Sequence, residues 1–308
     1  MADDKIIGEI VTKFFHDTCQ LHKRNDIALT AIAEYTRYFD RRRWPTSPES
    51  DCRDWHMIPL LTGSVAEFYI EPMIPCVGDA DIMFYITGKV AIPAGTAPPT
   101  HLPGDFSSYV VVYEIVDDGR FPGYVYLVSS YQLIECIEDG KYNVEPFERQ
   151  YKTICPNKSG GNIVRSHGPA RTYKIRSIYG TTCPYDNVFS TRCLSWPSQA
   201  AEWPSRHRKY GWPDSATVDR IINDGCDVVG VAHRQCRQDE WMSQRQHRLS
   251  FSRAEIILLN SWMPVQQIVY HMLRTFVKTE RLTDSADDSE EETLRNYHLK
   301  TLMFGLVN

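Results

Sequence analysis

Residues Ile7, Ile10, Val11, Phe14, Thr18 and Leu21, then Ala28, Ile32, Tyr35 and Phe39, recur at helical spacing. They predict a long helix over residues 4–40, bent near Arg24–Asp26 and ended by the two prolines of Arg41–Asp51. The period then changes. β-Branched and aromatic runs at Asp81–Thr87, Tyr109–Val116, Tyr124–Ser129, Arg171–Gly180 and Tyr185–Thr191 predict strands. The Pro/Gly-rich stretch "AIPAGTAPPTHLPGD" predicts a surface loop between the first two.

Helical spacing returns after about residue 190. "DSATVDRIINDG" carries a cap at Asp214 or Ser215 and a stop at Gly225, and Ser250–Trp262, Met263–Leu282 and Leu294–Leu306 predict further helices. The acidic run Asp284–Glu292 predicts a solvated loop. The expected organisation is an α/β lobe over residues 1–190 and a helical lobe over 191–308.

Composition narrows the class. A chain of 308 residues, 42% hydrophobic and 24% charged, has the balance of a soluble globular protein. The net charge of −5 argues against a generally basic nucleic-acid binder but leaves room for a local basic patch. No run of about 18 apolar residues predicts a membrane span. The start, "MADDKIIGEI", lacks the apolar core of a signal peptide, and the nine cysteines are scattered. Reduced thiols and a cytoplasmic location are the expectation.

Candidate chemistry sits at the mouth of the first strand. On an alternating strand Asp79 and Asp81 share a face with Met83 and Tyr85. Two carboxylates side by side repel, and a divalent cation relieves the conflict. Asp186, at the start of a later strand, would complete a set able to hold two ions for phosphoryl or nucleotidyl transfer. By spacing alone, Asp79 as a turn residue and Asp81 as a surface acid stays open. Upstream, Gly63 and Ser64 suit a backbone turn around a phosphate.

"TGSVAEF" followed by "GDADIMF" resembles the polymerase-β-like nucleotidyltransferases, and more closely cyclic GMP–AMP synthase and its relatives in the male-abnormal (Mab) family. "SHGPARTYKI", "YDNVFSTRCLSWP", "HRLSFSRAEIILL" and "RNYHLKTLMF" are similar to further segments of that family, in the same order. The likeness runs from about residue 55 to 305. It implies an α+β, two-lobed nucleotidyltransferase fold: a mixed β-sheet lobe and a helical-bundle lobe, with a long N-terminal spine helix.

The resemblance also implies roles. Gly63 and Ser64 would hold a triphosphate. Asp79, Asp81 and Asp186 would be the catalytic residues and hold two Mg²⁺ or Mn²⁺ ions. Tyr297 would stack on a nucleobase; Thr62, Arg248 and Ser250 would contact base edges or a second nucleotide; Lys300 would support the site. The implied activity is synthesis of a cyclic dinucleotide from two nucleoside triphosphates: ATP, GTP or a pyrimidine triphosphate. Asp79 stands where cyclic GMP–AMP synthase has Glu. The helix after "SFSRAEIILLNSW" runs almost directly into "MPVQQIVYHM", with no zinc-binding insertion between, so no structural zinc is expected. A long basic tail ahead of the first helix is not expected either.

Basic residues cluster along the first helix and its end (Lys13, Lys23, Arg24, Arg37, Arg41, Arg42, Arg43) and again at Arg206, Arg208 and Lys209. One stripe of this kind would suit the backbone of a duplex. Double-stranded RNA, read by shape, is the expected activator ahead of DNA, with a ligand-induced dimer as a further expectation. The alternatives are a non-catalytic scaffold of the same family and a nucleotidyltransferase that extends linear RNA tails.

Overall fold

The structure is a computed structural model that describes residues 55–63, 80–147, 162–163, 171–176, 182–280 and 296–307. The helix expected over 4–40, most of the basic stripe and the acidic run lie outside these residues.

Among the described residues, ten strands form one mixed sheet: β1 (Met57–Thr62), β2 (Ala80–Pro93), β3 (Tyr109–Asp117), β4 (Tyr124–Glu135), β5 (Tyr142–Pro146), β6 (Asn162–Ile163), β7 (Arg171–Arg176), β8 (Thr182–Cys193), β9 (Cys226–Val229) and β10 (Gln246–Ser250). The described helices are α1 (Ser215–Asp224), the single turn α2 (Glu240–Ser243), α3 (Ser252–Asn260), α4 (Pro264–Thr279) and α5 (Asn296–Val307). The α+β class and mixed sheet follow the expectation.

The lobe boundary expected at residue 190 falls inside β8, and the later half of the chain returns two strands to the sheet. β9 pairs with β8 on one side and β10 on the other, and β10 pairs with β4. Since β2 also pairs with both β8 and β3, and β3 with β4, six strands close a hydrogen-bonded circuit: β2, β3, β4, β10, β9 and β8. Ala91, Val111, Tyr113, Ile115, Val125, Leu127, Cys193, Cys226, Val228 and Leu249 form the core enclosed by it. Inside and outside alternate along each strand, which places these residues on the inner face.

β2 changes partners along its length. Its first half lies against β1 and β8, its second half against β3 and β8, with a register shift between Tyr85 and Val90. Gly88 sits in that shift. A Cβ there would come 1.9 Å from the Trp55 ring, so the absence of a side chain is what admits the tryptophan. Trp55 in turn stacks on Tyr109 and donates to its carbonyl at 2.9 Å.

α1 is built as its sequence predicts. Asp214 accepts from the Thr217 amide at 2.8 Å, and Gly225, at φ +70°, ends the helix. The cap itself holds the Asp214 carboxyl below the usual carboxylate range. α3 starts later than expected. The helix expected from Ser250 begins at Ser252, and Ser250 lies with Arg248 and Leu249 on β10.

Candidate active site

The site is a row across three neighbouring strands. Asp81 of β2 and Asp186 of β8 are Cα partners on adjacent parallel strands, and Thr62 of β1 is the antiparallel partner of Asp81. Partners in register project to the same face, and neighbouring strands lie about 4.8 Å apart, so the two carboxylates stand side by side. This face is outside the strand circuit.

The turn at the end of β1 closes onto them. Gly63 adopts φ +64°, and a Cβ on it would fall 1.8 Å from Oδ2 of Asp81. Both the backbone sign and the space require glycine here. Ser64 and Asp79 lie outside the described residues. The Thr62 side chain is buried, and its hydroxyl donates to the Asp81 carbonyl at 3.2 Å. That hydroxyl ties β1 to β2 at the acid rather than presenting itself to a base.

The donor chemistry fits a hard divalent cation. Oδ1 of Asp186 is buried and has no hydrogen-bond partner, with a second carboxylate beside it. An orphaned buried carboxylate oxygen is costly, and cation coordination by carboxylate oxygens relieves that cost. Asp81 and Asp186 are therefore able to hold such an ion.

Four residues along the same strands, about 13 Å away, a second row begins. It runs Ile58–Tyr85–Ser190–Val229–Arg248, one residue from each of five strands. Arg248 thus projects from the same sheet face as the acids, and it is exposed. Ser250, further along β10, shares a hydrogen bond of 3.0 Å with Ser252 at the start of α3.

A buried ionic cluster holds α3 down on this face. Asp227 of β9 is fully buried. It accepts from Nε of Arg253 of α3 at 2.8 Å and from the Ser190 hydroxyl at 3.2 Å, and Nη1 of Arg192 lies 4.0 Å away. Arg192 also pairs with Asp224 at 2.6 Å and donates to the Cys226 carbonyl at 3.0 Å. Burial pushes the Asp227 carboxyl up, while Arg253 and Arg192 pull it back. Arg253 also lies over the Tyr85 ring at 5.6 Å. The Tyr85 hydroxyl donates to Asp105, and burial, aided by that bond, raises its pKa. Through Tyr85 and Ser190, the cluster touches both acid-bearing strands.

Sequence reasoning missed Asp227, Arg192 and Arg253. The available signal was an acid inside the apolar run "CDVV", the same signal that identified Asp81. A cavity of about 410 Å³ opens beside the cluster, between Leu60, Arg220 and Asn223 of α1, and Arg253 and Ile257 of α3.

The remaining expected residues separate. Tyr297, on α5, is 62% exposed. Lys300, one turn on, is buried and pairs with Glu255 of α3 at 2.8 Å, which joins α5 to α3. Arg208 is drawn inward: it donates to the carbonyls of Trp203, Pro204 and Arg206 and lies 5.2 Å from the Trp203 ring. Of the described basic triplet, Arg206 and Lys209 remain exposed. Trp196 packs on Trp203 and Phe251, and Trp212 on Trp262 and Phe304. Cys193 and Cys226 face each other inside the strand circuit as free thiols, and Cys236 is buried near Gln246. None of the described helices is long and apolar enough to cross a membrane.

Residues 141–261 match the family described as the Mab-21 protein nucleotidyltransferase domain. This stretch contains Asp186, Arg192, Asp227, Arg248, Ser250 and Arg253; Gly63, Asp81, Tyr297 and Lys300 lie on either side of it. Over that stretch the chain is similar to the Mab-21 nucleotidyltransferases, and the similarity supports both that family and transfer of a nucleotidyl group as its general chemistry.

Proposed function

We propose that the chain joins two nucleoside triphosphates into a cyclic dinucleotide, releasing pyrophosphate at each of two steps. The observation that carries this reading is the register of Asp81 and Asp186 behind the Gly63 turn, with an acid oxygen left unpartnered. Divalent ions, when bound, supply the lowered pKa of the attacking ribose hydroxyl and the charge that steadies pyrophosphate. Asp81 and Asp186 are the residues to hold them, with Asp79 as the third ligand.

Gly63 lets the turn close onto the Asp81 carboxylate, and the turn, with the Ser64 hydroxyl, offers donors to a phosphate. Tyr297 stacks on one base; Arg248 and Ser250 take the second nucleotide. Duplex RNA is the activator in this reading, through Arg206, Lys209 and the N-terminal basic residues, and the enzyme works in the cytoplasm as a sensor of foreign nucleic acid.

The test uses purified protein, Mg²⁺ or Mn²⁺, labelled ATP, GTP, CTP and UTP, and a panel of RNA and DNA duplexes. Phosphatase-resistant product that depends on a duplex supports the reading. No such product with any ligand overturns it, and linear products of growing length point to the tailing alternative. One observation favours a second reading, a nucleotide-binding scaffold: Lys300 and Thr62 are already engaged within the protein. Nucleotide affinity unchanged by Asp81→Asn, with no turnover, would select it.

A further inference from the structure

We propose that Arg253 is a positioning residue: by tying α3 to the buried Asp227, it fixes where the base of a bound nucleotide lies relative to the acids Asp81 and Asp186. The inference rests on the nucleotide-binding reading above. It concerns two parts of that site that the fold places by different means. The acids are placed by strand register, as partners on β2 and β8. Tyr297, the residue that stacks on a base in that reading, sits on α5, outside the sheet.

α5 is fixed on α3. Leu299 and Met303 of α5 lie in one buried cluster with Leu259 of α3, and Lys300 pairs with Glu255 of α3 at 2.8 Å. With one apolar tie and one ionic tie, α5 follows α3. Arg253 then sets α3 against the sheet. Its Nε donates to Asp227 of β9 at 2.8 Å, and its guanidinium lies 5.6 Å from the ring centre of Tyr85 on β2. The same Asp227 accepts from Ser190 of β8 at 3.2 Å. Tyr85 and Ser190 each stand four residues beyond an acid on its own strand, on the same face. The placement of α3 is thereby referred to both acid-bearing strands.

The chemistry of this tie suits placement better than stability. Ala254 and Leu258 of α3 pack on Ile221 of α1, helix against helix. Apolar contacts are non-directional and tolerate a slide or a rotation. A charge-assisted bond from Nε to a carboxylate has one geometry. The Asp227 side chain is 0% exposed and that of Arg253 16%, so both charges are largely withdrawn from water, a cost that apolar residues of similar size would avoid. What the ion pair adds over such residues is a single placement of α3, and with it of α5 and Tyr297.

The test is calorimetric titration of the full chain with Mn²⁺, with the Mn²⁺ complex of whichever nucleoside triphosphate wild type binds most tightly, and with the Mn²⁺ complex of inorganic tripolyphosphate, which has no base. Arg253→Met leaves Asp227 charged and should melt below wild type. Adding Asp227→Asn removes both charges and should restore the melting temperature. Nucleotide affinity should nonetheless fall about 10-fold in both variants, the scale of one lost base stack. Affinity for Mn²⁺ and for tripolyphosphate should stay as in wild type. Tyr297→Ala should weaken nucleotide about 10-fold in wild type and hardly further in the double variant, because the stack is already misplaced there. Nucleotide affinity that returns together with stability makes the pair structural only and overturns the proposal. Equal losses for nucleotide and tripolyphosphate, or a full further loss from Tyr297→Ala, overturn it as well. A wild type that binds no nucleotide defeats the nucleotidyltransferase reading and this inference with it; a double variant that binds nucleotide like wild type defeats the inference alone.

Discussion

The two faces of β8 obey different rules. Its inward residue Cys193 is part of a closed apolar core, among Leu127, Val228 and Leu249. Of its outward residues, Asp186 carries the orphaned carboxylate oxygen, Ser190 donates to the buried Asp227, and Arg192 belongs to the ionic cluster. Within one strand, adjacent residues are selected for filling space or for placing charge. A core position tolerates changes that conserve volume. A charge-placing position tolerates little, because each group is fixed by its neighbours.

Substitutions on each face sharpen that contrast. The largest effect expected is on chemistry. Asp186→Asn should lower nucleotidyl transfer by about 10²-fold or more, while unfolding in urea should show stability unchanged or slightly raised, since the orphaned charge is removed. A loss of stability with activity retained would place Asp186 in the structural class.

Next, Asp227→Ala should cost about 3–5 kcal/mol, because two guanidinium groups lose their buried partner. Leu127→Ala, inside the circuit, should cost about 2–5 kcal/mol by leaving a cavity, with turnover by the remaining folded protein unchanged. Urea unfolding and turnover, measured side by side, check both.

The pH response is comparable in size and has a definite sign. Burial, with the Lys89 charge adding, holds His247 at about 4. The unfolded chain takes up that proton near pH 6.5, the folded chain only near pH 4, so the unfolded state binds more protons in between. The stability from a neutral His247 is complete above pH 6.5 and falls by about 3 kcal/mol as pH drops to 4. Urea midpoints across that window should decline, and His247→Gln should flatten the slope. His271, held at about 3 by burial and Arg274, steepens the same decline. The smallest effect is Lys300→Met, about 1 kcal/mol from the partly buried pair with Glu255. If the lysine only joins the helices, nucleotide affinity should hardly move.

The sequence disclosed the long strands because β2, β3, β4 and β8 are rich in β-branched and aromatic residues. The caps of α1 were equally plain. β1, β9 and β10 escaped for physical reasons. Cys226–Val229 is buried on both faces and only four residues long, so it shows no alternation. Gln246–Ser250 reads as polar, yet Gln246 is fully buried, donating to Asp118 at 2.7 Å and accepting from the His233 amide. A satisfied buried amide defeats a pattern based on hydrophobicity. The acids and the glycine turn were legible as chemistry; the Asp227 cluster was not, because its members meet only across the sheet.

The position of β9 and β10 between β8 and β4 governs how the protein is made. During synthesis, everything through Cys193 leaves the ribosome before the strands that will separate β8 from β4 exist. Until residue 250 follows, residues 124–126 of β4 and 190–193 of β8 lack the partners they have in the fold and present backbone edges open to mispairing. The last pairing to arrive joins segments more than a hundred residues apart, the kind of non-local contact that slows folding. A fragment ending at residue 193 is for that reason a poor unit to express on its own.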